Sequence, residues 1–103
     1  MKKTPAAVPH EEHLDEVLKD SKQAAAYLNA AIQENDPELV LMALRNVARA
    51  HSIKSIADAL HTQRESVSRM LSQHGNPGLT NFLKILDAAG LIVQVKAKEA
   101  LAA

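Results

Sequence analysis

Six hydrogen-bonding side chains lie almost without interruption in one short stretch of the second half of the chain. They are Gln63, Arg64, Glu65, Ser66, Ser68 and Arg69. An arginine can donate two hydrogen bonds to guanine and a glutamine can pair in the same way with adenine, each good pair discriminating by about 1–3 kcal/mol. The composition suits a helix whose outer face contacts base edges in the major groove of DNA. Arg64 and Arg69 are then the specific readers.

Glu65 has more than one interpretation. Its carboxylate could accept a hydrogen bond from cytosine. It could instead orient Arg69 one helical turn later, or close a capping box with Thr62. We favour the two structural roles.

Two short helices joined by a tight turn would position these side chains. The apolar residues at helical spacing are Ile53, Ile56, Ala57 and Leu60 before the turn and Val67, Met70 and Leu71 after it. The small Ala57 would let the second helix cross close over the first. Periodicity alone also fits an ordinary surface pair of helices with a solvated polar face.

Polar residues that flank this stretch are suited to phosphate contacts, which set the register on DNA without reading its sequence. In addition to the serines above, they are Lys54, Ser55, Asn76, Thr80 and Asn81. Thr80 has the clearest reason, because free amides at the start of a helix bind anions.

Length and composition predict one small cytoplasmic domain that a dimer would help to stabilise. The 103 residues include no Cys or Trp, one Tyr and one Phe, so disulfides are excluded and stacking on single-stranded nucleic acid is unsupported. No run suggests a signal peptide or a membrane span. The five His show no spacing typical of a base, nucleophile or metal site, and we expect neither an enzyme nor a cofactor.

The charges are segregated although they sum to zero. Residues 10–38 carry eight acidic and two basic side chains, whereas residues 39–98 carry eight basic and three acidic ones. This pattern predicts one cationic and one anionic partner. A solvated surface without a partner is the alternative.

The order of local signals predicts an all-α fold with five helices in a domain over residues 21–96, preceded by a flexible acidic arm over residues 1–20 and followed by a tail over residues 97–103. Asp36-Pro-Glu38 is a strong helix start, since it combines a capping carboxylate, a proline at the first position and an acid near the positive end of the dipole. Residues 10–19 could form a short amphipathic helix, which must dock on the domain or on a partner.

The stretch from Leu91 to Val95 favours a short strand. Leu91, Val93 and Val95 alternate on one side, and the chain offers no second strand. Pairing with the same strand of a second copy, or with another protein, is the simplest solution. An irregular tail is the alternative.

Three segments taken together resemble one family. They are Asp36-Pro-Glu-Leu with Ala-Leu-Arg-Asn-Val-Ala-Arg-Ala50, then Arg64-Glu-Ser-Val-Ser-Arg-Met-Leu-Ser72, then Gly75-Asn-Pro with Leu-Thr-Asn-Phe-Leu-Lys-Ile-Leu86 and Gly-Leu91. Over residues 24–95 the chain is similar to the addiction-module antidote proteins, which are HigA-like antitoxins with a phage-repressor (Cro/Xre-type) helix-turn-helix.

The resemblance implies a repressor-like, all-helical domain that dimerises, binds double-stranded operator DNA to repress its own operon and neutralises a small basic toxin of the RelE/HigB-like class. It places on the recognition face Gln63, Arg64, Glu65, Ser66 and Arg69. Charge alone makes four acids the candidates for toxin contact, namely Glu11, Glu12, Asp15 and Glu16. A solitary phage-type repressor and a helical adaptor that never meets DNA are the alternatives.

Two positions depart from the pattern of the family. His61 stands where such turns usually have a glycine in the left-handed conformation, which costs free energy for histidine. Gly78 stands where Ser or Thr commonly caps the following helix, so we expect a weaker cap. Both departures lower the expected stability and leave the motif intact.

Overall fold

The structure, a computed structural model, describes the backbone of residues 7–98 and the side chains of residues 13–98. This part of the chain is all-helical and contains no strand. Its six helices are α1 (Ala7–Leu18), α2 (Ser21–Gln33), α3 (Pro37–His51), α4 (Ile53–Ala59), α5 (Arg64–Met70) and α6 (Gly78–Ala88). None of these helices is long and apolar enough to cross a membrane.

Local capping fixes where α2 and α3 begin. The Asp20 carboxylate accepts a hydrogen bond of 3.0 Å from the Lys22 amide, and the Asp36 carboxylate accepts one of 3.1 Å from the Glu38 amide. Pro37 occupies the first turn of α3. Each cap stabilises the fold by about 1 kcal/mol. The predicted start of α3 is therefore confirmed.

The helix α3 lies at the centre of the fold, because α1, α2 and α4 all pack against it, and α6 packs on α4. The largest fully buried side chains come from α3, α4, α5 and α6 together with the residue that follows α5, and they are Leu44, Val47, Ile56, Val67, Leu71 and Ile85. Buried alanines of α3 let neighbouring helices approach closely. One continuous core therefore joins the two halves of the chain.

The helix α1 docks on the domain, which was one of the two places that we predicted for it. Leu18 is buried in the common core. The Asp15 carboxylate forms an ion pair of 3.1 Å with the Arg49 guanidinium of α3. The predicted boundary after residue 20 thus falls between two helices that share a core. Residues 1–6 of the predicted arm lie outside the described part of the chain.

The chain after α6 forms no strand within the described residues, in contrast to the predicted strand at Leu91 to Val95. Leu91 is half-buried, and its amide donates a 2.8 Å hydrogen bond to the Leu86 carbonyl. No backbone hydrogen bond between described residues involves residues 92–98. A strand needs a neighbouring strand to pair with, and residues 7–98 of one copy supply none. Of the predicted tail, residues 99–103 lie outside the description.

Candidate nucleic-acid interface

The helices α4 and α5 pack against each other through small and β-branched side chains. Ala57 is 2 % exposed and both Ile56 and Val67 are fully buried. Leu60 and Met70 are half-buried and pack against the same core. Ala57 is thus buried, as its predicted place at the helix crossing requires, and its role in letting α5 approach stays a prediction. The inner side of α5 is thereby fixed to the core.

The turn between the two helices has the bonding of a Schellman motif. The Thr62 amide donates a 2.9 Å hydrogen bond to the Ala57 carbonyl, and the His61 amide donates one of 3.1 Å to the Asp58 carbonyl. His61 has a φ of 56°. Histidine therefore adopts the left-handed conformation expected at this position, with the cost that accompanies it.

The helix α5 begins one residue later than the proposed capping box requires. Gln63 has extended backbone angles at the N-cap and makes no capping hydrogen bond through its side chain. Glu65 is then the second residue of the helix rather than the third, so it cannot complete a box with Thr62. It also makes no ion pair with Arg69 among the described residues. The predicted capping box is therefore wrong, whereas the orientation of Arg69 by Glu65 stays a prediction.

Two residues to which the sequence assigned no contact with α5 hold the end of this helix. The Arg45 guanidinium of α3 donates a 2.8 Å hydrogen bond to the Leu71 carbonyl, which caps the helix from 26 residues away. A Cβ atom at Gly75 would lie 2.3 Å from the Arg69 carbonyl oxygen and 2.5 Å from that of Met70. The loop after α5 therefore packs directly against its last turn, and the Gly75-Asn-Pro motif was the only sequence signal for this contact.

The outer side of α5 carries most of the predicted base-reading residues. The exposed ones are Gln63, Arg64, Glu65, Ser68 and Arg69, whereas Ser66 is half-buried. Within the described residues, neither arginine forms an ion pair. Two uncompensated guanidinium groups therefore project from a helix whose other side is buried.

The predicted phosphate-contacting residues differ in how free they are. The Lys54 ammonium forms an exposed ion pair of 3.1 Å with Asp58. The Asn76 side chain accepts a 2.9 Å hydrogen bond from the Gly78 amide. Ser55 and Thr80 are exposed and Asn81 is half-buried. Lys54 and Asn76 thus have local partners, while Ser55 on α4 and Thr80 on α6 are exposed.

The start of α6 agrees with the weaker cap expected at Gly78. Pro77 precedes the helix and makes no capping hydrogen bond through its side chain. Gly78 has a φ of 74°, and a Cβ atom there would meet open space. Thr80 lies in this first turn, whose free amides keep the partial positive charge of a helix N-terminus.

The four acids predicted to contact a toxin do not form one free patch. Asp15 pairs with Arg49, and Glu16 pairs with Lys19 at 3.1 Å. Glu11 and Glu12 lie on α1, but their side chains fall outside the description. The role of these acids stays a prediction.

The exposed apolar side chains after α6 differ from the predicted alternation. Val93 is 49 % exposed and Val95 is 93 % exposed, but Ile92, on the opposite side of the proposed strand, is 81 % exposed. Leu91, in contrast, packs against the core. Because the segment belongs to no sheet, alternate residues do not face core and solvent in turn.

Comparison with known proteins identifies the family. The model of a family described as "Probable addiction module antidote protein" matches residues 10–97. An uncharacterized protein of Haemophilus influenzae is 36 % identical over 81 residues, which cover 79 % of this chain and 84 % of that protein. No solved structure matches. The match includes most of α1, the helix pair α4–α5 and the segment after α6. The chain belongs to this family of probable addiction-module antidote proteins.

Proposed function

We propose that this antidote protein is an antitoxin that binds operator DNA as a dimer and represses its own operon. In this proposal α4 and α5 form a helix-turn-helix of the phage-repressor type, and α5 enters the major groove. The protein also neutralises a small toxin of the RelE/HigB-like class, by binding rather than by catalysis.

One observation carries the DNA-binding part of the proposal. Arg64 and Arg69 are exposed on a helix whose opposite side is buried through Val67, and neither guanidinium has an acidic partner among the described residues. Because the helix backbone is already fixed, binding has to order only the two arginine side chains and not the segment that carries them. Base edges in the major groove are a ligand for which arginine is suited by its paired donors.

The surroundings of α5 support contacts to phosphate as well as to bases. Lys54 is 71 % exposed, and an exposed pair such as Lys54–Asp58 is worth about 1 kcal/mol at most. A phosphate can therefore compete with Asp58 for the ammonium group. Ser55 and Thr80 would add neutral donors on either side, which fix the register of α5 on the duplex.

A dimer would place two copies of α5 on successive half-sites about 34 Å apart on one face of the DNA. The exposed apolar residues after α6 supply a surface that two copies could share. We propose that this surface, rather than the polar face of α5, holds the copies together.

The experiment is binding of the full chain to a labelled duplex from the promoter of its own operon, followed by fluorescence anisotropy. We expect a complex in 50 mM salt whose affinity falls at least about tenfold in 200 mM salt, because phosphate contacts release counterions. A duplex of scrambled sequence is the control. Absence of binding at low salt, with circular dichroism showing folded protein, would refute the DNA-binding proposal.

A second experiment separates an antitoxin from a solitary repressor, which is the alternative function. The family description favours the antitoxin. Co-expression with the neighbouring open reading frame should yield a small basic protein that co-purifies with this chain at a fixed ratio. If no neighbouring product binds, while operator binding is intact, the chain acts as a repressor without a toxin.

A further inference from the structure

An apolar groove of about 790 Å³ lies between α2, α3, α6 and the irregular segment 91–96. Its floor and walls include Leu28, Ile32, Leu41 and Phe82. The volume is within the range of about 300–1,000 Å³ that is typical of occupied binding clefts. The residues that we assign to DNA lie elsewhere, apart from Asn76 at one edge.

The segment that forms one wall of this groove lacks partners of two kinds. Ile92 is 81 % exposed and Val95 is 93 % exposed, so their apolar surface has no cover. In addition, no backbone hydrogen bond of the described chain involves residues 92–98. Backbone amides and carbonyls that have no partner can pair with those of another segment.

We infer that the groove receives the segment 91–96 of a second copy, which lies antiparallel to the segment of the first. This inference rests on the dimer of the proposed function and specifies its interface. Antiparallel segments can exchange backbone hydrogen bonds. In a twofold-symmetric dimer, the segment of each copy forms a wall of its own groove and also enters the groove of the partner copy. The same contact therefore covers the exposed apolar residues of both copies.

The charges at the groove favour a second copy as the occupant. Glu38 and Lys96 are the charged residues that line it within the described chain. A second copy brings its own Lys96 to a cleft that contains Glu38, and the reciprocal contact does the same on the other side. Glu38 makes no ion pair within the described residues, so the Lys96 of a second copy can pair with it while the apolar residues of that segment fill the groove.

The test uses two aspartate variants and two matched controls. Val95→Asp charges the segment, and Ala97→Asp places the same charge two residues later, outside the groove. Ile32→Asp charges the α2 wall, and Ala30→Asp places the charge on the same helix at an exposed position that does not line it. Circular dichroism and thermal melting verify folding of all four variants, and sedimentation equilibrium measures the dimer dissociation constant without DNA.

We expect Val95→Asp and Ile32→Asp each to raise the dimer dissociation constant at least about hundredfold, because each charge is buried at two symmetric sites. The two controls should stay within about threefold of the unmodified chain. Loss of dimer in Val95→Asp but not in Ile32→Asp would show that the segments pair outside the groove, and would overturn the inference.

Two further outcomes identify other occupants. If all variants dimerise normally but Ile32→Asp no longer binds the product of the neighbouring gene, the groove is a toxin site and the inference is wrong. If the dimer depends on both residues but no operator duplex binds, the groove assignment stands and the DNA-binding proposal fails. Because the dimer dissociation constant is measured without DNA, failure of the groove inference can be distinguished from failure of the DNA-binding proposal.

Discussion

The helix α5 and the segment after α6 both follow the same type of backbone turn, but the two regions differ after it. After α4, His61 leads a turn closed by the Thr62 amide on the Ala57 carbonyl. After α6, Gly90 leads the same turn, closed by the Leu91 amide on the Leu86 carbonyl. The first turn returns the chain to the core, where Val67 is fully buried, whereas the second leads to a segment that includes the 93 % exposed Val95.

This difference separates two kinds of surface. The chain after His61 presents polar side chains on a helix that is fixed from behind, which suits a rigid polar ligand such as a DNA groove. The chain after Gly90 presents apolar side chains on an irregular segment whose backbone groups at residues 92–98 have no hydrogen-bond partner among the described residues, which suits another protein chain. The two surfaces therefore point to different partners, and substitutions in each should have different effects.

The largest effect on stability is expected for Gly75→Ala. This substitution would displace the loop that packs against the last turn of α5. The added Cβ would lie 2.3 Å from a backbone oxygen, which cannot move without shifting the helix. We expect a loss of about 2–4 kcal/mol in the free energy of unfolding. Urea denaturation followed by circular dichroism measures it.

Gly78→Ala is the control for that variant, because its Cβ would meet open space and only the positive φ opposes it. We expect a loss of about 1 kcal/mol. Equal losses in the two variants would show that the close approach of Gly75 to α5 does not exist in solution.

A matched pair of valine substitutions tests the comparison directly. Val67→Ala removes two buried methyl groups and should cost about 2–3 kcal/mol of stability. Val95→Ala removes the same groups from an exposed position and should change the stability of the monomer by less than about 0.5 kcal/mol. Denaturation at protein concentrations below the dimer dissociation constant measures both. A similar cost at the two positions would contradict the contrast between buried helix and uncovered segment.

Arg45→Met tests whether α5 is also held from α3. Methionine keeps the apolar stem but loses the hydrogen bond of 2.8 Å to the Leu71 carbonyl, and we expect a loss of about 1–2 kcal/mol. Arg45→Lys retains a donor and should recover part of it. If thermal melting shows no change for Arg45→Met, the cap contributes nothing to holding α5.

One substitution should raise stability. His61→Gly relieves the left-handed conformation at φ 56° and should raise stability by about 0.5–1 kcal/mol, which would make the two turns alike. His61→Ala keeps the strain and should give no gain. A rise in the melting temperature for both variants would show that the histidine side chain, and not its backbone, is unfavourable.

Local signals in the sequence were sufficient for much of the fold. The start of α3 at Pro37 followed from three adjacent residues, and the left-handed turn at His61 from the spacing of the apolar residues on either side with the family pattern. Such features depend on contacts within a few residues. The Arg45–Leu71 bond joins residues 26 apart in the chain, and no local pattern indicates which carbonyl a distant arginine will reach.

The charged residues show a second limit. Asp15 was assigned to a cationic partner from net charge, but its carboxylate binds Arg49 of the same chain. A count of charges cannot distinguish an acid that the fold already neutralises from one that is free. Glu65 shows a different limit. The predicted capping box is absent because α5 starts at Arg64, one residue later than the box requires.

The most direct test of the proposed DNA reading is the ratio of dissociation constants for scrambled and operator duplexes. The double variant Arg64→Ala/Arg69→Ala should lower this ratio at least about thirtyfold, since two base contacts of at least about 1 kcal/mol each are lost. Lys19→Ala/Lys22→Ala removes the same charge from the start of α2 and the preceding turn and should leave the ratio unchanged. An unchanged ratio in the arginine variant would contradict the assignment of α5 as the helix that reads DNA.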